Sequence, residues 1–321
     1  MEQSGKAVAG VIGLGIIGNR VAANLRRAGY QVWLWNRTLR PEPNFLSSPA
    51  EVAESAKHIQ IFVANGEALL SVVKAMAPVL TPEHIVMNHA TVSPKETLEA
   101  AAIVREKHAV FLDAPFTGSR DAAAQGELIY YIAGDPSALT RVRPLLEASS
   151  KKILTFGEIG QATVIKIATN VISATAVGAL AEALALLHSH GVELNKLSEA
   201  LESNAARSPV IDMKLPGMIH ADFDPRFSLK NMFKDVQIAL SAAEDKNLEL
   251  PTASAFAGTA MAGLQRGWGE SDFSVISRFY EYPGQATTPA NPLPPATPTE
   301  PPLENKSSGM KKLWGIFRRK K

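Results

Sequence analysis

The stretch that most constrains this chain lies in its first 35 residues. Residues 7–12 are a short apolar run, and Gly13-Leu14-Gly15-Ile16-Ile17-Gly18 follows at once. Val21, Leu25 and Ala28 continue at helical spacing, Gly29 ends that helix, and residues 31–35 read as a second strand. Strand, G-x-G-x-x-G, helix, strand is the order in which a turn wraps a dinucleotide pyrophosphate. Gly13 permits the tight turn, Gly15 lets backbone approach a phosphate, and Gly18 lets helix pack on strand. Gly13, Leu14, Gly15, Ile16, Ile17 and Gly18 therefore form the expected cofactor turn, with the positive end of a helix facing the phosphates. Without the flanking strands and helix, the same six residues would say little.

The second strand ends in Asn36-Arg37-Thr38. An NAD-binding chain usually places Asp or Glu here to hold the ribose 2′-hydroxyl. Arg37 would instead attract a 2′-phosphate through charge-assisted hydrogen bonds, so NADP(H) is expected over NAD(H). The plain alternative is a solvated loop charge.

The alternation continues, with helices at residues 49–56, 66–77 and after Pro94, and strands at 59–64, 85–88 and 110–113. This argues for one mostly parallel sheet with helices on both faces. Ligands of such sheets bind beyond the carboxyl ends of the strands. The turns beginning at Asn65, at Thr91-Val92-Ser93-Pro94 and at Asp113 are therefore expected to line the cleft. In the last of them, residues 113–119, Thr and Ser hydroxyls and flexible backbone N–H groups could hold a carboxylate. A plain loop explains that segment equally well. A strand at 128–133, a helix at 136–148 and a short strand at 153–156 complete this half.

Beyond Gly160 the strand signals stop. Helical runs recur near residues 162–188, 194–203, 213–219, 232–245 and 253–265, so an all-α domain is expected with its first helix as spine. Lys166 and Asn170 stand four apart near the start of that helix, on one face and roughly 6 Å apart along the axis. Their neighbours Val164, Ile165, Ile167 and Ala168 are apolar. A lysine projected from such a surface into a cleft suits general-acid catalysis, with the amide as positioning partner. From these residues alone, a lysine snorkelling to water competes with that reading. Lys234 and Asp235, near the start of a later helix, suit either a cleft or an ordinary charged helix start.

Composition closes off other chemistries. The 321 residues suffice for two cores, and 46% hydrophobic with 20% charged residues describes a soluble globular chain. No cysteine is present, which removes disulfides, thiol nucleophiles and thiolate metal sites, and fits a reducing, cytoplasmic compartment. The first ten residues show no secretion signal. The apolar run 171–187 is interrupted by Ser173, Thr175 and Glu182, and reads as too short and too polar to span a bilayer. The seven histidines offer no metal pair; His188 and His190 point in different directions.

Taken together, the motifs at residues 13–18, 91–94, 113–119, 160–170 and 227–235 resemble those of the β-hydroxyacid dehydrogenase superfamily. They fall in its order and spacing between about residues 7 and 276. The superfamily includes 3-hydroxyisobutyrate dehydrogenase, and the nearest likeness is to its NADPH-dependent glyoxylate/succinic semialdehyde reductases. The resemblance implies an α/β Rossmann-type doubly wound sheet over residues 1–160. It also implies an all-α substrate and oligomerisation domain over 161–282, entered by a long interdomain helix.

The same resemblance implies that Lys166 donates a proton to a substrate carbonyl while the cofactor delivers hydride, and that Asn170 helps position the substrate. It implies that Thr117 and Gly118 bind the substrate carboxylate and that Thr91 lies near the nicotinamide. Phe227 and Asp235 line the cleft, with Lys234 on the cofactor and substrate side. Gly13, Leu14, Gly15, Ile16, Ile17, Gly18, Asn36, Arg37, Thr38, Asn65, Thr91 and Lys234 would contact NADP(H). The family turn usually carries Ser where Thr117 stands and Val where Phe116 stands, differences that trim the pocket. The expected substrate is a small aldehyde acid, and the expected assembly a homo-oligomer. A 3-hydroxyisobutyrate-type dehydrogenase, an imine reductase and a non-catalytic NADP-binding module are the other readings.

The likeness ends before the C-terminal tail. Residues 283–308 hold eight of the 21 prolines and no periodicity, as expected of a disordered linker. Residues 309–321 follow with Met310, Leu313, Trp314 and Phe317 at i, i+3, i+4 and i+7 among basic residues. That pattern reads as a reversible membrane-surface or protein-docking helix, or as a plain solubilising end. From Pro283 onward seven Lys/Arg and two acids give +5; the whole chain is +2, so the body carries −3. A body of that charge is not expected to bind nucleic acid.

Overall fold

The computed structural model describes residues 7–280. The tail elements expected at 283–308 and 309–321 lie outside the described residues.

Strands β1 (Val8–Ile12), β2 (Gln31–Trp35), β3 (His58–Ile61), β4 (Ile85–Asn88) and β5 (Val110–Asp113) form a parallel sheet in the order β2-β1-β3-β4-β5. Adjacent residues of one strand serve opposite faces. Val11, Met87 and Leu112 join one core, while Ile12, Val86 and Phe111 join the other. Helix α1 (Ile16–Arg27) packs on the first face. Helices α2 (Pro49–Ser55), α3 (Gly66–Met76) and α4 (Pro94–Arg105) pack on the second. The strand order reverses at β1, so the turn after β1 opens onto the crevice where such sheets bind ligands.

A second, three-stranded sheet continues this half, bridged to the first where Asp113 and Ala133 pair antiparallel. Strands β6 (Phe116–Thr117), β7 (Leu128–Ile132) and β8 (Ser150–Thr155) pair in that order, with β6 antiparallel and β8 parallel to β7. Helix α5 (Arg120–Gln125) lies between β6 and β7, and α6 (Pro136–Glu147) between β7 and β8. The segment read as a turn at 113–119 thus contains a short strand. Phe116 sits opposite Tyr130 across that pair, a contact no local pattern reveals. Strand β8 also begins at Ser150, earlier than read, because its polar Ser-Lys-Lys start hides the strand signal.

The helical half begins with α7 (Gln161–Ser189), then α8 (Asn195–Leu201), α9 (Pro209–His220), α10 (Leu229–Glu244) and α11 (Pro251–Gln265). A 3-10 helix at Phe273–Tyr280, unread in the sequence, closes the domain. Helix α9 starts at Pro209, where the proline ring presets the first turn, four residues before the expected start. Helix α7 buries Ala174, Val177, Ala181 and Leu184 against α9, α10, α11 and the 3-10 helix. At 29 residues it is long and apolar enough by length and composition to cross a membrane, which corrects the reading of the run 171–187 as too short and too polar to span one.

Candidate active site

The glycine turn has the geometry its sequence demands. Gly13 adopts φ 93°, and a Cβ there would sit 2.1 Å from the Phe62 carbonyl oxygen. A Cβ on Gly18 would meet the Gly13 carbonyl oxygen at 2.0 Å. A Cβ on Gly15 would meet no heavy atom within 4 Å beyond its chain neighbours and its own helix, and no side chain caps the start of α1. Open space over uncapped helix N–H groups fits a pyrophosphate. Ile16 is exposed, Ile17 is half-buried, and Leu14 is core. The Leu14 N–H is already taken by Asn36 Oδ1 at 3.0 Å, while Asn36 Nδ2 donates to the Thr38 carbonyl at 2.8 Å. Asn36 thus brackets the turn. Arg37 and Thr38, next along, are exposed at the end of β2. Asn65 caps α3 by accepting from Ala68 N.

On the helical side, side chains from two helices meet in one polar run. Lys166 Nζ donates to Asn170 Oδ1 at 3.1 Å, and Asn170 Nδ2 donates to Asp235 Oδ2 at 2.6 Å. The amide orientation follows from chemistry: its oxygen faces an ammonium and its nitrogen a carboxylate. Asp235 is buried, and Lys234 Nζ lies 2.9 Å from its Oδ1. Lys234 Nζ also donates to the Thr91 carbonyl at 2.6 Å, tying α10 to the turn after β4. Burial pushes the Lys166 ammonium below its ordinary pKa; Asp235 opposes that shift and Lys234 reinforces it. A lysine so placed holds its proton less tightly than one in water, which suits a donor.

The 113–119 segment reaches the start of α7 through Asp113. No hydrogen bond among the described residues joins Thr117 or Gly118 directly to Lys166, Asn170 or Asp235. Gly118 takes φ 140°, and a Cβ there would press Leu128 at 2.8 Å. Asp113 is fully buried and accepts from Gly160 N, Thr163 N and Thr163 Oγ1, at the first turn of α7. Burial pushes its carboxyl up, against those hydrogen bonds.

Phe227 is half-buried at the entry to α10, edge-on to Phe273 with centroids 6.4 Å apart. Its N–H donates to Asp272 Oδ2, which also receives Lys214 Nζ at 2.7 Å in a buried ion pair. Thr163, Lys214 and Asp272 escaped the sequence reading as site-supporting residues, and Asp113 entered it only as the start of a cleft turn. Their long-range partners stand 45 to 66 positions away, beyond any local pattern.

His89 was missed for the same reason. Its Nδ1 lies 2.6 Å from the Ala114 carbonyl, so Nδ1 carries the proton. The ring stacks on Phe62 at 4.4 Å and meets Tyr130 at 4.9 Å, and its Nε2 is buried without a partner. Burial pulls its pKa down to about 3.

Two family models cover nearly all of this structure. One, described as the NAD binding domain of 6-phosphogluconate dehydrogenase, matches residues 8–157. The other, described as NAD-binding of NADP-dependent 3-hydroxyisobutyrate dehydrogenase, matches residues 160–280 and so covers the lysine face. The chain belongs to the β-hydroxyacid dehydrogenase superfamily. It is an NAD(P)-dependent oxidoreductase of that family. Glyoxylate/succinic semialdehyde reductase 1 of Arabidopsis thaliana is 29% identical, over 83% of this chain and 96% of its own length. The NAD-dependent L-serine dehydrogenase of Pseudomonas aeruginosa is 27% identical, over 84% and 96%. The structure of Mycobacterium tuberculosis 3-hydroxyisobutyrate dehydrogenase with L-serine superposes with a TM-score of 0.80. It covers 86% of this chain and all of its own at 24% identity, and so shows the shared fold.

Proposed function

We propose that this enzyme reduces small aldehyde acids with NADPH, glyoxylate to glycolate and succinic semialdehyde to 4-hydroxybutyrate. The observation that carries the reading is the Lys166–Asn170–Asp235 run, a half-buried lysine held by an amide that is itself held by a carboxylate. NADPH, when bound, supplies the hydride. As negative charge builds on the substrate oxygen, the Lys166 ammonium stabilises it and gives up a proton. Asn170 keeps the ammonium in place, and Asp235 keeps Asn170 from rotating. Thr117 and Gly118 would hold the substrate carboxylate, with Phe227 closing the cleft from the helical side. Lys234 would face both substrate and cofactor.

NADPH is favoured over NADH by the exposed Arg37 at the end of β2, with no carboxylate among residues 36–38. The name of the Arabidopsis relative supports the substrate class. In this division of labour residues 1–160 bind the dinucleotide, and 161–282 complete the substrate site and join copies of the chain. The oligomeric reading draws on the outer stripe of α7, where Ile172 is 67% and Leu186 is 62% exposed. A cytoplasmic enzyme with its basic end, residues 309–321, resting on anionic membrane completes the reading.

NADPH oxidation by the purified protein, with glyoxylate, succinic semialdehyde and methylmalonate semialdehyde, tests it. Turnover of at least one, faster with NADPH than NADH, is expected. Silence across the panel while NADPH still binds would sink the reductase reading. Light scattering that found only monomer would remove the oligomer. Equal vesicle binding by the full chain and a chain ending at residue 282 would remove the membrane role.

A further inference from the structure

Three buried side chains outside the proposed chemistry join the three segments that build the cleft. Thr163 Oγ1 donates to Asp113 Oδ1 at 2.7 Å, and Thr163 N and Gly160 N both donate to Asp113 Oδ2 at 2.9 Å. Thr97 Oγ1 lies 3.2 Å from Thr163 Oγ1 and 3.1 Å from the Ser93 carbonyl oxygen. Because the single Thr163 hydroxyl proton goes to the carboxylate, the one Thr97 hydroxyl proton is shared between the Ser93 carbonyl oxygen and Thr163 Oγ1. All three residues are at most 1% exposed.

Each stands at the root of a different part of the site. Thr97 is in the first turns of α4, behind the turn that carries Thr91. Asp113 opens the segment that carries Thr117 and Gly118. Thr163 is on the first turn of α7, three residues before Lys166 and seven before Asn170, and so close to their helical face. The N-cap of α7 is Gly160 at φ 95°, which has no side chain to close the helix start. Asp113 supplies that closure from the neighbouring sheet, with a negative charge at the positive end of the helix.

We propose that Thr97, Thr163 and Asp113 form a positioning network that sets Lys166 in register with the carboxylate-binding turn and the Thr91 turn. The inference rests on the reductase reading for its kinetic test. A displacement of about 1 Å in a positioned group can cost about 100-fold in rate, so a network of this kind acts on turnover more than on cofactor affinity.

Thr163→Val keeps side-chain volume and the backbone N–H bond but deletes the hydroxyl. Its kcat is expected to fall about tenfold, with NADPH affinity within about twofold of the original. The isotope effect on kcat with 4-deuterated NADPH should rise. Thr163→Ser, which restores the hydroxyl, should recover turnover, and Thr97→Val should show a smaller loss than Thr163→Val. Folded fraction is checked by circular dichroism at the assay temperature. Unchanged turnover in Thr163→Val, or an equal loss in Thr163→Ser, would overturn the network. If the unaltered enzyme is silent on every aldehyde, the reductase reading fails, and amide exchange across residues 160–170 decides the network instead. Faster exchange in Thr163→Val than in Thr163→Ser would support it, and equal exchange would overturn it.

Discussion

On the sheet side of the cleft three glycines set the geometry, whereas on the helical side side chains from separate elements do. The Gly13 to Gly18 turn works through what is missing: any Cβ at Gly13 or Gly18 would collide with backbone oxygen. The lysine face works through what is present, an ammonium, an amide and a carboxylate brought together from α7 and α10. A site made by backbone fails when atoms are added. A site made by side chains fails when atoms are removed.

That contrast can be broken in order of effect. Lys166→Ala should lower kcat by at least about 10²-fold while leaving NADPH affinity intact; near-normal turnover would take Lys166 out of the chemistry. Gly13→Ala should destabilise the protein by about 2 kcal/mol or more, through both its positive φ and the Phe62 carbonyl. Gly15→Ala has open space, so its stability should stay within about 0.5 kcal/mol while NADPH affinity falls about tenfold. Denaturation and fluorescence titration separate the two, and unimpaired binding by Gly15→Ala would move the pyrophosphate elsewhere.

A stability test sharpens the role of His89, which borders the sheet-side turn. Its folded pKa of about 3 lies below the ordinary 6.5, so the unfolded chain takes up a proton in that interval and the folded protein does not. Its contribution is complete above pH 6.5 and is lost as pH falls toward 3. Between pH 7 and pH 4.5 this amounts to about 2–3 kcal/mol. Denaturant titrations of His89→Phe at both pH values should show a shallower decline than the original; parallel declines would refute the buried neutral ring.

The smallest effects concern proton affinity on the helical side. Asp235→Asn removes an attraction that raises the Lys166 pKa, so turnover should fail at lower pH on the alkaline side. Lys234→Met removes a repulsion that lowers it, so the same limb should move to higher pH. Limbs that coincide in the two variants would show that α10 does not set the donor's charge.

The strand-turn-helix of residues 8–27 and the helical spacing of Lys166 with Asn170 were legible because each is local. Turn glycines and i, i+4 pairs are decided by backbone geometry within a few residues. Strand β6 was illegible for the opposite reason: two residues carry no period, and only Tyr130 opposite Phe116 makes them a strand. Asn36 was read as a cofactor contact from its position after β2. The fold also commits both ends of its amide, to Leu14 and Thr38, a role spacing could not reveal.

By itself, then, the sequence determined the dinucleotide turn, the change from alternating strands to helices at Gly160, and the lysine with its amide partner. These depend on φ preferences, hydrophobic period and helical spacing, all short-range quantities. Only the tertiary structure decided that Phe116 and Thr117 pair into a second sheet. It alone placed Asp235, 65 residues from Asn170, where it holds that amide, and Asp113, 47 residues from Gly160, where it closes the lysine helix. A buried carboxylate requires donors, and which donors reach it depends on how distant elements pack rather than on the residues beside it.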